Sequence, residues 1–282
     1  MRETSNPVFR SLPQQQQGGY ATFGSGAAGA ATAQVHQGYE PYIDQQRGVA
    51  RPLTIDDVVT KTGMTLGVLS VVGVISYLMV SSNFDLAMPF AMIGGLGGLA
   101  LVLFATFRRK QDSPAIVLSY AALEGLFLGA VSFLLANFTV GGEMRANAGT
   151  LIFQAILGTV GVFAGMLFVY KTGAIRVTPK FTRMLIAGMI GVLVLMLGNF
   201  VIGMFTHSVG MLRDGGPIAI IFSLVCIGLA AFSFLIDFDA ADQMIRAGAP
   251  EKAAWGIALG LTVTLVWLYI EILRLLSYFN ND

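Results

Sequence analysis

Hydrophobic positions in this chain fall into seven long runs: residues 62–80, 88–107, 116–138, 150–170, 184–205, 218–236 and 253–279. Each is close to the roughly 20 residues that a helix needs to cross about 30 Å of hydrocarbon. The connections are short and polar, such as "SSNFD", "RRKQDSP", "VGGEMRAN" and "RAGAPEK". Pro217 opens the sixth run, where a missing N–H costs least. Ahead of the first run, Thr54 and Asp57 read as a helix start that leads straight into the membrane. Residues 1–50 differ: they are rich in Gln, Gly, Ala and Ser, with too little apolar bulk to offset the entropy of ordering. They also lack the basic start and short apolar core of a signal peptide. The pattern predicts an all-α integral membrane protein with seven transmembrane helices at 51–282, preceded by a disordered tail at 1–50.

Composition supports lipid as the solvent. The chain is 55% hydrophobic and 12% charged, with mean hydropathy +0.72, whereas soluble domains carry about 25% charged residues. A net charge of +1 gives no field to recruit nucleic acid. The single cysteine, Cys226, excludes an intrachain disulfide and a thiolate metal cluster, and reads as a packing residue. The glycine-rich "GGLGGLA" at 94–100 follows no strand, so it reads as a helix-packing face and not as a phosphate loop.

Basic residues set the orientation. Arg51, Lys61, Arg108 to Lys110, Lys171, Arg176, Lys180, Arg183, Arg246 and Lys252 all fall at one set of alternate connections. The opposite set holds only Arg145 and Arg213. The expected topology is multi-pass in a plasma or inner membrane, with the N-terminus cytoplasmic and the C-terminus outside.

Ionisable groups inside a membrane cost at least about 2.5 kcal/mol each on insertion scales, so each needs a reason. The candidates are Glu124, Asp237, Asp239, Glu271 and Arg274. Glu124 lies about 15 Å along its helix from Pro114, and Asp239 about 13 Å from the turn at Gly248. The two could therefore meet at one level in the inner half of the bundle, as an ion or proton site with both acids as cation ligands. The plainer alternative is two acids facing a water-filled vestibule. Asp237 lies one step deeper on a different helix face. Glu271 lies about 30 Å up its helix and reads as an intrahelical pair with Arg274, three residues on. Asp242 and Arg246 read as a solvated i, i+4 pair.

The segments "LSYAALEGLFLGAVSFL", "FSFLIDFDAADQMI" and "LYIEILRLLSYF" resemble the Bax inhibitor / YccA family over about residues 55 to 280. The resemblance implies six helices bundled around a central seventh. It further implies a pH-sensitive calcium leak, in which a sixth-helix Asp shares a proton with a seventh-helix Asp and an arginine of the second helix latches the pair. Carried across, the sixth-helix acid falls on Asp239 and the arginine on Arg108, with Arg109 possible. The seventh-helix position falls on Glu271 by residue type, but on Thr264 by the spacing to "ILR", and hairpin geometry favours Thr264. Glu124 then stands as candidate second carboxylate. Two carboxylates in a low-dielectric bundle cannot both ionise cheaply. Once ionised they would attract a cation such as calcium, which takes oxygen ligands.

Two function classes result. The first is a pH-gated cation leak, calcium being the expected ion, with no resident cofactor. The second, implied by the resemblance, is a non-enzymatic regulator that engages a membrane-anchored ATP-dependent protease through its tail. An intramembrane protease is a third possibility, but its Gly-x-Gly-Asp pattern is absent, as are zinc-protease and serine-hydrolase motifs. His36 and His207 stand alone and suggest no metal site.

Overall fold

A computed structural model describes residues 51–138, 148–206 and 210–280. Among these are seven helices long and apolar enough to cross a membrane: α1 (Ile55–Ser82), α2 (Ala87–Phe107), α3 (Pro114–Asn137), α4 (Ala148–Thr172), α5 (Pro179–Thr206), α6 (Pro217–Arg246) and α7 (Ala253–Phe279). A single 3-10 turn, Phe84–Leu86, joins α1 to α2. The expected tail at 1–50, together with His36, Arg145 and His207, lies outside the described residues.

The helices start where local chemistry favours them. Thr54 caps α1: its hydroxyl accepts from the Asp57 amide at 3.3 Å, and its own amide donates to the Asp57 carboxylate at 3.0 Å. This reciprocal box satisfies two otherwise orphaned donors. Proline opens α3, α5 and α6. Gly248, with φ of 65°, takes the left-handed turn that follows α6.

Helix α7 has the largest buried share of the seven and packs on α1, α3, α4 and α6. Helix α2 packs chiefly on α3, and α5 on α6. The expected arrangement about a central seventh helix is thus a core of five helices with α2 and α5 flanking it. Much of α4 and α5 is exposed, and the exposed positions are large and apolar, including Leu195, Leu197 and Phe200. These are lipid-facing surfaces.

Because lipid is as apolar as leucine, burial does not drive these helices together; close packing and a few polar ties do. Glycine lets α1 and α3 touch: a Cβ on Gly125 would stand 2.7 Å from the Leu69 carbonyl oxygen. Beside it, the Ser76 hydroxyl of α1 donates to the Leu126 carbonyl at 2.8 Å.

The segment before α1 is tied to the α6–α7 turn. Pro52 and Pro250 form an antiparallel bridge; the Leu53 amide donates to Ala249 O at 2.8 Å, and the Glu251 amide to Arg51 O at 2.9 Å. Four charges surround this strap. Arg51 pairs with Asp57 and with Glu251 (3.5 Å), and Lys61 pairs with Glu251 at 3.1 Å. The Lys61 ammonium also lies 5.9 Å from the centre of the Trp255 ring.

Candidate functional site

Helices α6 and α7 form a hairpin about the Pro250–Glu251 step, and its register decides which residues meet. Asp237 and Thr264 lie equally far from that step along their helices, so an antiparallel pair brings them level. The Thr264 hydroxyl donates to the Asp237 carboxylate at 2.7 Å and lies 3.3 Å from its own helix's Gly260 carbonyl. Thr264 is buried and Asp237 half-buried. The hairpin reasoning that favoured Thr264 over Glu271 for the seventh-helix position agrees with this contact.

The expected contact of Asp239 with the seventh-helix position needs correction. Asp237 and Asp239 are separated by about 200° of helix rotation, so only one can face α7. That one is Asp237. Asp239 instead accepts from Gln243, one turn on, at 2.6 Å. Three residues on from Asp239, Asp242 accepts from the Tyr170 hydroxyl of α4 at 3.4 Å.

Nor does the structure pair Glu124 with Asp239. Helix rise sets the two acids at comparable depth, but the Glu124 carboxylate lies against Gly98 of α2. A Cβ on Gly98 would lie 3.0 Å from its Oε1, so this glycine makes the room that the carboxylate occupies. The Tyr120 hydroxyl, one turn earlier on α3, faces the same carboxylate. Glu124 Oε2 is buried with no hydrogen-bond partner. Helices α3 and α6 are not a main packing pair. Equal depth is not adjacency, and the two acids do not form a joint cation site.

Glu271 belongs to a separate cluster near the opposite ends of the helices. It is 1% exposed. Its Oε1 accepts from Arg274 at 2.6 Å, the expected i, i+3 pair, and lies 3.9 Å from Arg213 of the α5–α6 connection. Sequence reasoning missed Arg213 as a partner; its one signal was being among the few cations on that side. The expected Asp242–Arg246 pair forms at 2.9 Å.

Arg108 and Arg109 lie exposed where α2 ends. The Arg108 guanidinium stands 5.8 Å from the centre of the Phe104 ring, and Arg109 takes a left-handed conformation with φ of 52°. Among the described residues, neither forms an ion pair. The latch onto an α6 acid is therefore not formed in this arrangement.

Among the described residues there is also no group of three or more His, Cys, Asp or Glu side chains placed to hold a metal ion. A cation at Asp237 would complete its shell from hydroxyls, backbone carbonyls and water, all of which calcium accepts. The chemistry that the site offers is one ionisable carboxylate set between two helices and held by a neutral hydroxyl.

Comparison with known proteins adds a family. A model of the Bax inhibitor 1 like family matches residues 6–281, nearly the whole chain. No curated protein matches it.

Proposed function

This chain belongs to the Bax inhibitor 1 like family, and from that premise we propose that it is a pH-sensitive cation leak, with calcium as the ion, gated where α6 meets α7. The observation that carries the reading is the 2.7 Å bond from Thr264 to Asp237. An ionisable residue inside a membrane bundle is by default a functional group, and this one lies between the most buried helix and its hairpin partner. Protonation removes the charge that draws a cation; ionisation restores it. With threonine opposite, no second carboxylate shares the proton, so the response rests on Asp237 alone. Basic residues at one set of helix ends support a cytoplasmic N-terminus in a cell membrane.

The test is calcium efflux from proteoliposomes, followed from acid to neutral pH. Asp237→Asn should flatten the pH dependence, and Asp239→Asn should leave its midpoint in place. A steep, unshifted profile in Asp237→Asn would overturn the gate.

A second reading is a non-enzymatic regulator of a membrane protease. It draws on the strap, in which residues 51–53 bond to the α6–α7 turn. Deleting residues 1–50 separates the two: a leak survives the deletion, whereas a tail-dependent regulator does not.

A further inference from the structure

Between α1 and α4 runs an apolar slot of about 460 Å³, walled by those two helices and floored by α3 and α7. We propose that it holds one acyl chain of a bilayer phospholipid, in the leaflet away from the basic loops. This inference does not rest on the ion-leak reading.

Depth is the first argument. Along α1 the slot runs from Leu66 to Leu78, and along α4 from Gly149 to Val160. At 1.5 Å per residue that is about 18 Å and about 17 Å. One leaflet's share of a hydrocarbon core about 30 Å thick is about 15 Å. Both walls lie in the same half of the bundle, towards the C-terminal end of α1 and the N-terminal end of α4. The slot thus begins near the middle of the membrane and ends at one surface.

Its chemistry is the second. The rim residues Val74, Leu78, Ile156 and Val160 are exposed and apolar, so the medium at the opening is hydrocarbon. Apart from the exposed Ser70, the polar side chains along the lining have partners. Ser132 and Tyr269 bond each other at 2.8 Å, the Thr159 hydroxyl donates to Ala155 O, and the Tyr77 hydroxyl accepts from Asn137. Such a lining gives water too few partners, and apolar cavities stay dry. Left empty, it would forfeit dispersion contacts along its length. A chain entering from the leaflet restores them without desolvating anything.

The floor supplies the readout. Leu265 and Tyr269 belong to α7, inside the bundle, and line the slot. The full chain is reconstituted with phosphatidylcholine carrying a diazirine on one acyl chain, photolysed and mapped by peptide mass spectrometry. Adducts are expected at Leu265 or Tyr269, besides those on the lipid face of α5. Two variants fill the slot: Gly149→Phe, where an added Cβ meets nothing within 4 Å, and Ile156→Trp at the rim. Each should lower the α7 adducts about tenfold. Leu195→Trp on α5 should leave them unchanged. Wild-type protein labelled on α5 but not on α7 would overturn the proposal. So would undiminished α7 labelling in a filled variant whose thermal unfolding matches wild type. Labelling of the floor by diazirine-palmitate but not by the phospholipid would overturn the assignment to a bilayer lipid.

Discussion

Removing Arg274 should destabilise the bundle more than removing the charge that it faces. Glu271 is 1% exposed, its Oε1 bonded to Arg274 at 2.6 Å and 3.9 Å from Arg213. Arg274→Met preserves the apolar stem but leaves a buried carboxylate with one cation, Arg213, at 3.9 Å. Breaking one side of a buried pair costs about 3–5 kcal/mol. Arg213 remains and its side chain is 25% exposed, so the low end, about 3 kcal/mol, applies. Glu271→Gln keeps the shape and removes the charge. The freed Arg274 can then snorkel towards water, and the loss should be about 1 kcal/mol, that of an ordinary hydrogen bond.

The double variant completes a cycle. Once Glu271 is neutral, Arg274→Met strands nothing, so the double loss should fall well short of the summed singles, with coupling of at least about 1.5 kcal/mol. Denaturation in mixed micelles can be followed through Trp267, which packs beside Cys226 and Phe222 one turn before Glu271, in a Trp255→Phe background. Additivity within about 0.5 kcal/mol, or a larger loss for Glu271→Gln than for Arg274→Met, would refute the view that the arginine stabilises by neutralising a buried acid.

Two further outcomes follow from the packing and from the strap. Gly125→Ala should lose about 1–3 kcal/mol by overpacking, because its Cβ would stand 2.7 Å from the Leu69 carbonyl oxygen; unchanged stability in the same micelle assay would contradict the α1–α3 contact. At the strap, the hydrogen bond from Lys61, its charge and that of Arg51 hold the Glu251 carboxyl below its ordinary value of 4.5. A depressed folded value means that this stabilisation is complete above 4.5 and disappears as pH falls through the lower, folded value. Hydrogen-exchange protection of the Leu53 amide should drop in that acid range, and drop less in Glu251→Gln; an identical fall in both proteins would exclude Glu251 as its cause.

The helices were legible because lipid simplifies the reading: a run of about 20 apolar residues has few other fates. Helix α6 extends ten residues past the end of its apolar run, to Arg246, because i, i+4 pairs such as Asp242–Arg246 and Asp239–Gln243 continue the turns through polar sequence. Azimuth was not legible. A soluble helix declares its inner face by a stripe of apolar residues, but a helix apolar all round does not. Depth alone therefore placed Glu124 beside Asp239, when the carboxylate faces Gly98 of α2. It likewise left Asp237 and Asp239 undivided, although their hairpin positions relative to Pro250 separate them. Ties across long sequence distance, such as Lys61 to Glu251 and Arg213 to Glu271, left no local trace at all.

The interior acids nonetheless sort themselves by what surrounds them. Glu271 has two cations within 4 Å, so its charge is structural and its loss should be felt as stability. Glu124 faces α2, which flanks the core, and Tyr120 of its own helix; a change there acts between α2 and α3. Of these acids, Asp237 joins α6 to the most buried helix, through a neutral hydroxyl and with no ion pair among the described residues. Where packing and a few polar ties hold helices together, altering one tie by a single proton changes the contact between two helices without removing a charge pair. On the proposed reading, Asp237 is the acid whose ionisation opens a path without unfolding the bundle, and the gate lies on the α6–α7 hairpin.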